Sequence, residues 1–427
     1  MKKILKMLTI TMMLLLLLVA CNKPNSSDQS GTKTNDGKDT ATSTELKPEP
    51  GAELLFWTMK DPLVEAAVKE FEEKYNIKVK VEEVQTWDTA DRVKTDGPAG
   101  IAADVIGMVS DNLGTTVNSG VLLPNDYFEK ETRKNSNKIA LDASSYKGVL
   151  YGYPRDIYTY ALYVNKDLVK DAKFETWDDV KTFAKQYNNP SENKFGFMYD
   201  AKSWYFNSAF ILGYDGYIFG KNGTDINDIG INSAGAVKGM EFYHSLKDIL
   251  PLKLQDISND VRLHLWEQGK LAINMDATWN LGNNKKMPFE VEVLPMPKMP
   301  GDKSPIALVG STGYYVTSYT KYPNASRIFA NYLTSKDMLG KLYESTGRIP
   351  ALNGFENEEK FKDDQMLQGF LAQIKNGAAL PNVPEMSNYW KSLESATQNI
   401  WNNDADIKKT LDKAAEDMKS GIKTSKD

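Results

Sequence analysis

Few side chains in this sequence are of the kinds that carry covalent or metal chemistry. Its two histidines, His244 and His264, sit in helical patterns, with His264 between Leu263 and Leu265, and neither has a cysteine partner or an HExxH spacing. There is no phosphate-binding GxxxxGK[ST], no GxGxxG after a strand and no GxSxG. The histidines read as packing or surface residues, so no metal, no cofactor and no catalytic residue is expected. The 57 acidic residues guarantee many accidental carboxylate pairs. A glycosidase needs two carboxyl groups about 5–10 Å apart across the bond, a distance that a sequence does not show. An exported glycosidase using Asp61, Asp111 or Asp156 therefore stays open beside a pure binding role, as does a surface adhesin.

Aromatic residues are the unusual asset, with eight Trp, 21 Tyr and 16 Phe. Trp177 follows a helix cap, and Trp266 and Trp401 lie in amphipathic helical patterns, so these three are expected in the core. Trp57, Trp87, Trp204, Trp279 and Trp390 are different. Each falls at a strand end or loop beside polar neighbours such as Lys60-Asp61, Asp88, Lys202-Ser203, Asn280 and Asn388. Ligands bind at the C-terminal ends of strands in α/β sheets. An aromatic face covers the apolar C–H face of a pyranose, and a neighbouring carboxylate or amide bridges its hydroxyls. The pattern points to a carbohydrate.

The elements that must hold these groups are α/β in type. Glu53 to Met59 reads as a strand, Pro62 opens a helix with Val64, Ala67, Val68, Phe71 and Tyr75 on one face, and Ile77, Val79 and Val81 alternate. Strand, helix and strand in about 30 residues make a βαβ unit and hence a parallel pair. Further strands are expected at Ala103–Val109, Tyr158–Asn165 and Leu271–Met275, with a hairpin arm at Gly148–Pro154. Helices are expected after Thr176, over Ser233–Leu246, Val261–Gly269 and Ala325–Leu333, and as one element from Trp390 to about Lys419. No internal repeat is found.

The chain's 427 residues suit two or three domains. The net charge is −5, and no basic block lies beyond the N-terminus, which excludes the clustered positive face that nucleic acid requires. Lys2, Lys3 and Lys6 precede an apolar run from Met7 to Ala20, the pattern of a signal peptide over residues 1–20. The run ends Leu18-Val19-Ala20-Cys21, which resembles a bacterial lipobox. Cys21 is the only cysteine, so no intramolecular disulfide forms, and lipidation at Cys21 is expected. Residues 21–50 are polar and poor in large apolar groups, as in a disordered tether.

The segment Leu380-ProAsnValProGluMetSerAsnTyrTrp390 resembles the C-terminal signature of maltose/maltodextrin-binding proteins of ABC importers. The blocks FWTMKDP, YGYPRDIYTYALYVNKDLV, SWYFNSAFILGYDGYIF and LWEQGKLAINMDATWNL follow that family in order, over roughly residues 52–420. The resemblance implies two α/β lobes, each a mostly parallel sheet flanked by helices, with the ligand in the cleft between them. Chain crossings near Tyr158, Ile306 and Arg348-Ile349-Pro350 would give lobes of 51–158 plus 307–350 and 159–306 plus 351–427. It also implies sugar-binding roles for Asp61, Asp111, Tyr205, Trp279 and Trp390. Met108 stands where the enteric protein of the family has a stacking tryptophan, Asn112 where it has an arginine, and Tyr158 where it has a glutamate, with Asp156 two residues away. Ser208 replaces a further aromatic. Trp87 has no counterpart and, with Trp204, is expected to supply a platform. Tyr389 is expected in the core, and the prolines of the signature to present Trp390 to the cleft. The implied function is a monomeric receptor, lipid-anchored on the outer face of the cell membrane of a Gram-positive type bacterium. It would deliver α-1,4-glucans to a membrane permease whose ATPase is a separate chain. Another oligosaccharide or a cyclodextrin is the alternative ligand.

Overall fold

The computed structural model describes residues 46–424, which form one compact unit. The expected signal peptide, the expected lipidation at Cys21 and nearly all of the expected tether lie outside the described residues. The strands are β1 Glu53–Thr58, β2 Lys78–Glu83, β3 Val105–Val109, β4 Ser145–Tyr146, β5 Val149–Leu150, β6 Tyr153–Tyr158 and β7 Tyr160–Asn165. There follow β8 Phe195–Tyr199, β9 Asp225–Ile229, β10 Leu271–Ala277, β11 Val291–Leu294, β12 Leu308–Val316, β13 Ile349–Pro350 and β14 Ala378–Ala379. One sheet has the order β13-β6-β12-β3-β1-β2, with β14 pairing on β12. The other has the order β11-β7-β10-β8, and β4 and β5 form a small hairpin.

Helices and sheets build an α/β molecule, but both sheets are mixed where mostly parallel ones were expected. The βαβ unit does give parallel β1–β2 and β1–β3 pairs, and β8 lies parallel to β10. The strands that return from the other sheet run the opposite way: β12 is antiparallel to both β3 and β6, and β7 to both β10 and β11. The expected Tyr158–Asn165 strand is part of this geometry. It is divided at Thr159, so that β6 belongs to the first sheet and β7 to the second. Both halves are fully buried.

Period-two alternation places neighbours of one strand in different cores. Phe56 of β1 packs edge-on against Tyr314 and Phe329. Trp57 turns to the opposite face with Met108, Leu113 and Tyr315. The Pro62–Tyr75 helix is capped by Asp61, whose carboxylate accepts the Val64 N–H, and it ends at Asn76 in the left-handed region. Thr176 and Asp179 form a reciprocal capping box before the Trp177–Tyr187 helix. The expected C-terminal helix is two helices, Met386–Asn403 and Ile407–Thr424. The break falls after Asn402-Asn403, where Asp404 takes φ 51°, because the run of short polar side chains favours caps over helix interiors.

Candidate functional site

The loops that leave β2, β3, β8 and β10 meet the start of the Met386–Asn403 helix around a cavity of about 780 Å³. Its aromatic wall comes from both sheets. Tyr158 ends β6, Trp204 and Tyr205 open the helix after β8, Trp279 follows β10 and Trp390 lies on the Met386–Asn403 helix. Tyr205 and Trp279 stack with ring centroids 6.0 Å apart and an interplanar angle of 29°. Tyr158 meets both at 6.1 Å, edge-on to Tyr205 and tilted to Trp279. Gly310 of β12 makes room for Tyr158, since a Cβ there would lie 2.4 Å from the tyrosine ring. Trp279 is 38% exposed, and Trp87 on the facing loop is 57% exposed. Such open indole faces in a concave site await an apolar partner.

Polar groups are set between the rings. Asp111 follows β3, and its Oδ2 accepts the Trp390 Nε1–H at 3.1 Å, a hydrogen bond that joins two elements 279 residues apart. Part of Asp111 faces the cavity. Enclosure by protein pushes its carboxyl above the usual carboxylate range, opposed by the Trp390 hydrogen bond. Burial likewise raises the Asp200 carboxyl and the Tyr158 and Tyr205 hydroxyls. Arg348 lines the same cavity 4.0 Å from Asp156.

The signature segment is tied down ahead of Trp390. Asn382 is fixed beneath the β4–β5 hairpin, its Nδ2 donating to the Ser145 carbonyl at 2.8 Å. The Asn382 carbonyl accepts the Gly114 N–H at 3.0 Å. Gly114 is required there, because a Cβ would stand 2.4 Å from that carbonyl. Tyr389 turns into the core, where its hydroxyl shares a 2.8 Å hydrogen bond with Ser208, the residue standing in place of an aromatic. Trp177, Trp266 and Trp401 are buried as expected.

Of the residues singled out in the sequence, Trp87, Asp111, Tyr158, Trp204, Tyr205, Trp279 and Trp390 line this cavity. Trp204 does so from a nearly buried position, its indole N–H donating to the Leu393 carbonyl. The others are placed differently. Met108 is fully buried on the Ile106 face of β3, where its sulfur receives the Thr116 hydroxyl, while Val109 takes the cavity side. Asp156 is buried in a 2.6 Å ion pair with Arg155. Asp61 is the helix cap and lines a separate small cavity with Arg155 and Tyr314. Asn112 donates to the Trp87 carbonyl and so steadies that loop. Trp57 lies wholly in the core, beneath the Arg92 guanidinium at 4.0 Å and with its N–H on Glu82.

Sequence reasoning missed the charged end of the cavity, formed by Asp200, Lys202, Asn259, Arg262, Asp276 and Glu394. Asp200 stands four residues before Trp204 and Asp276 three residues before Trp279, which is the signal that was available. Arg262 gave none, being one basic residue on an amphipathic helix. Among the described residues no group of three or more His, Cys, Asp or Glu side chains is arranged to hold a metal ion. His244 pairs with Asp404 on a different surface groove.

Comparison with known proteins follows this geometry. A galactooligosaccharide-binding protein of Bacillus subtilis (strain 168) is 30% identical over 389 residues, covering 87% of this chain and 90% of that one. The maltodextrin-binding protein MdxE of the same organism is 28% identical over 339 residues, covering 78% of this chain and 80% of the relative. A crystal structure of a cyclo/maltodextrin-binding protein complexed with maltotetraose superposes with a TM-score of 0.76 at 29% identity, covering 87% of this chain and 97% of the other. Residues 66–369 match the family described as bacterial extracellular solute-binding protein. The chain, two-lobed and α/β, belongs to that family.

Proposed function

We propose that this chain captures α-1,4-linked glucose oligomers in the cavity between its two sheets and hands them to a membrane importer. The observation that carries the reading is the aromatic wall drawn from both sheets, with the Asp111 carboxylate set between Tyr158 and Trp390. Rings that cover sugar faces beside a fixed acceptor bind carbohydrate. Asp111, Tyr158, Tyr205, Trp279 and Trp390 form the core of the binding set, with Trp87 and Trp204 at its margins. Asp61, Met108, Asn112 and Asp156 act behind it as cap, packing residue, loop brace and buried ion pair. The lobes divide as 51–158 with 307–350 and 159–306 with 351–427. Hinge closure brings them onto the ligand, and bound sugar favours the closed form only through contacts made on closing. The protein works as a monomer, held outside the cell by a lipid on Cys21, and passes ligand to permease subunits whose ATPase is another chain. It binds without cleaving.

The 30% identical galactooligosaccharide-binding relative favours one second reading, a galactooligosaccharide in the same cavity. A thermal-melt panel of residues 22–427 separates the two. Maltose, maltotriose, maltotetraose, a cyclodextrin, cellobiose and a galactotriose would be tested, with product analysis after overnight incubation. Ligand at about a hundred times its Kd adds about 2.7 kcal/mol, an easily measured shift. Stabilisation by the α-glucans alone is expected. A shift with galactotriose alone transfers the function to the second reading, and released glucose would refute binding without cleavage.

A further inference from the structure

The charged end of the cavity is more than a solvated rim. Arg262 is 1% exposed, on the helix Asn259–Glu267, and its guanidinium is forked. One arm donates to Asp276 Oδ2 at 2.9 Å and to Asn274 Oδ1, and the other donates to Asn259 Oδ1 at 2.7 Å. Asp276 Oδ2 in turn accepts Asn280 Nδ2 at 2.7 Å, so the network reaches the turn that carries Trp279. A guanidinium only donates, so the Asn259 oxygen must face Arg262 and its NH₂ is left to donate elsewhere. Asn259 itself is exposed and lines the cavity. Asp200 lies on the same side. It follows β8, whose Tyr199 pairs with Met275 of β10, so Asp200 and Asp276 leave adjacent parallel strands together. Its carboxylate also lines the cavity, where the charge of Arg262 favours its ionised form against burial.

We propose that Asp200 and Asn259 form a hydroxyl-reading subsite for the sugar unit beside the Trp279 ring, with Arg262 as the positioning residue behind them. An acceptor and a donor held on one wall match two adjacent hydroxyls, one giving and one receiving a hydrogen bond. The subsite makes ligand choice depend on the hydroxyl pattern of one unit, which ring stacking alone does not read. It rests on the sugar-binding reading above.

The test uses residues 22–427 and calorimetric titration with maltotetraose and with maltotetraoses lacking one hydroxyl of a terminal unit. Asp200→Asn is expected to weaken maltotetraose about tenfold or more, and Asn259→Ala about threefold to tenfold, from the loss of one charged and one neutral hydrogen bond. At least one deoxy analogue that binds the wild type poorly should be bound by the matching variant as well as that variant binds maltotetraose. Arg262→Lys keeps a cation but gives up the fork, and Asn259→Ala should then cost nothing further in that background. If Arg262→Lys does not fold, Asp200→Asn and Asn259→Ala decide alone. Binding of maltotetraose within twofold of wild type by both Asp200→Asn and Asn259→Ala, with unchanged melting, overturns the subsite while leaving the sugar receptor standing. Failure of wild type to bind maltotetraose overturns both.

Discussion

Trp279→Ala is the substitution whose cost follows most directly from the geometry. Trp279 is 38% exposed, in a cavity that Trp390 and Asp111 also line. A tryptophan offers about 150–250 Å² for burial, so its open part amounts to roughly 60–95 Å². A sugar ring that covers this area gains about 1.5–2.4 kcal/mol at about 25 cal/mol per Å². Each 1.4 kcal/mol is a tenfold change in Kd, so Trp279→Ala should weaken binding about tenfold to fiftyfold. The cost to the empty protein is of another kind. It loses the ring contacts with Tyr205 and Tyr158, about 0.5–1.5 kcal/mol each, which lowers the melting temperature without abolishing folding. Titration calorimetry of maltotetraose against wild type and variant separates the two effects. The variant should also show a less negative heat-capacity change of binding, the mark of apolar area no longer covered. Binding within twofold of wild type, by a variant that still melts cooperatively, would refute the stacking argument.

Other outcomes follow from particular contacts. Burial raises the folded-state pKa of Asp111, so its ionised form costs stability. That cost is absent below the usual aspartate value of about 3.9 and grows as pH rises through the raised folded value. Asp111→Asn should therefore melt higher than wild type at neutral pH, with an advantage that vanishes in acid. The same variant should bind sugar more weakly, and its affinity should lose the decline wild type shows as pH falls through that range. Gly114→Ala places a methyl against the Asn382 carbonyl and should lower stability by about 1–3 kcal/mol, as overpacking does, measured by urea unfolding. Arg155→Met removes the close partner of buried Asp156 and leaves only the Arg348 guanidinium 4.0 Å away. It should cost up to about 3–5 kcal/mol, because the buried charge is then poorly compensated.

The βαβ start, the helix caps and most apolar faces were legible because they are local: Thr176 with Asp179 is a capping box in any context, and Ile77, Val79 and Val81 alternate by themselves. The mixed pairing was not legible, since the direction of β12 against β3 is set by a chain that has crossed to the other sheet and back. The same distinction divides the site. Trp279 and Trp390 stood out by type and by polar neighbours. Met108 was misplaced because strand alternation, and not motif position, decides which way a side chain points; it shares the face of Ile106. Trp57 resembled a loop platform until Arg92 and Glu82, from two other elements, closed over it. Asn259 and Arg262 were invisible because their role depends on Asp276 and Asp200, brought alongside by β8 and β10.

The position of β12 has a kinetic consequence. It lies between β3 and β6, yet some 200 residues separate Val109 of β3 from Leu308 of β12. Until that late segment is available, β3 has no neighbour on one side and β6 cannot join the sheet. Long-range pairing of this kind slows folding, because the closure entropy of a long loop is lost before any contact is gained. A chain synthesised from its N-terminus therefore stays incomplete in its first sheet until more than two-thirds of it has emerged, and an extracellular solute-binding protein must be carried across a membrane. Late arrival of the central strand leaves the first sheet unfinished while the chain is being made, which favours passage before folding is complete.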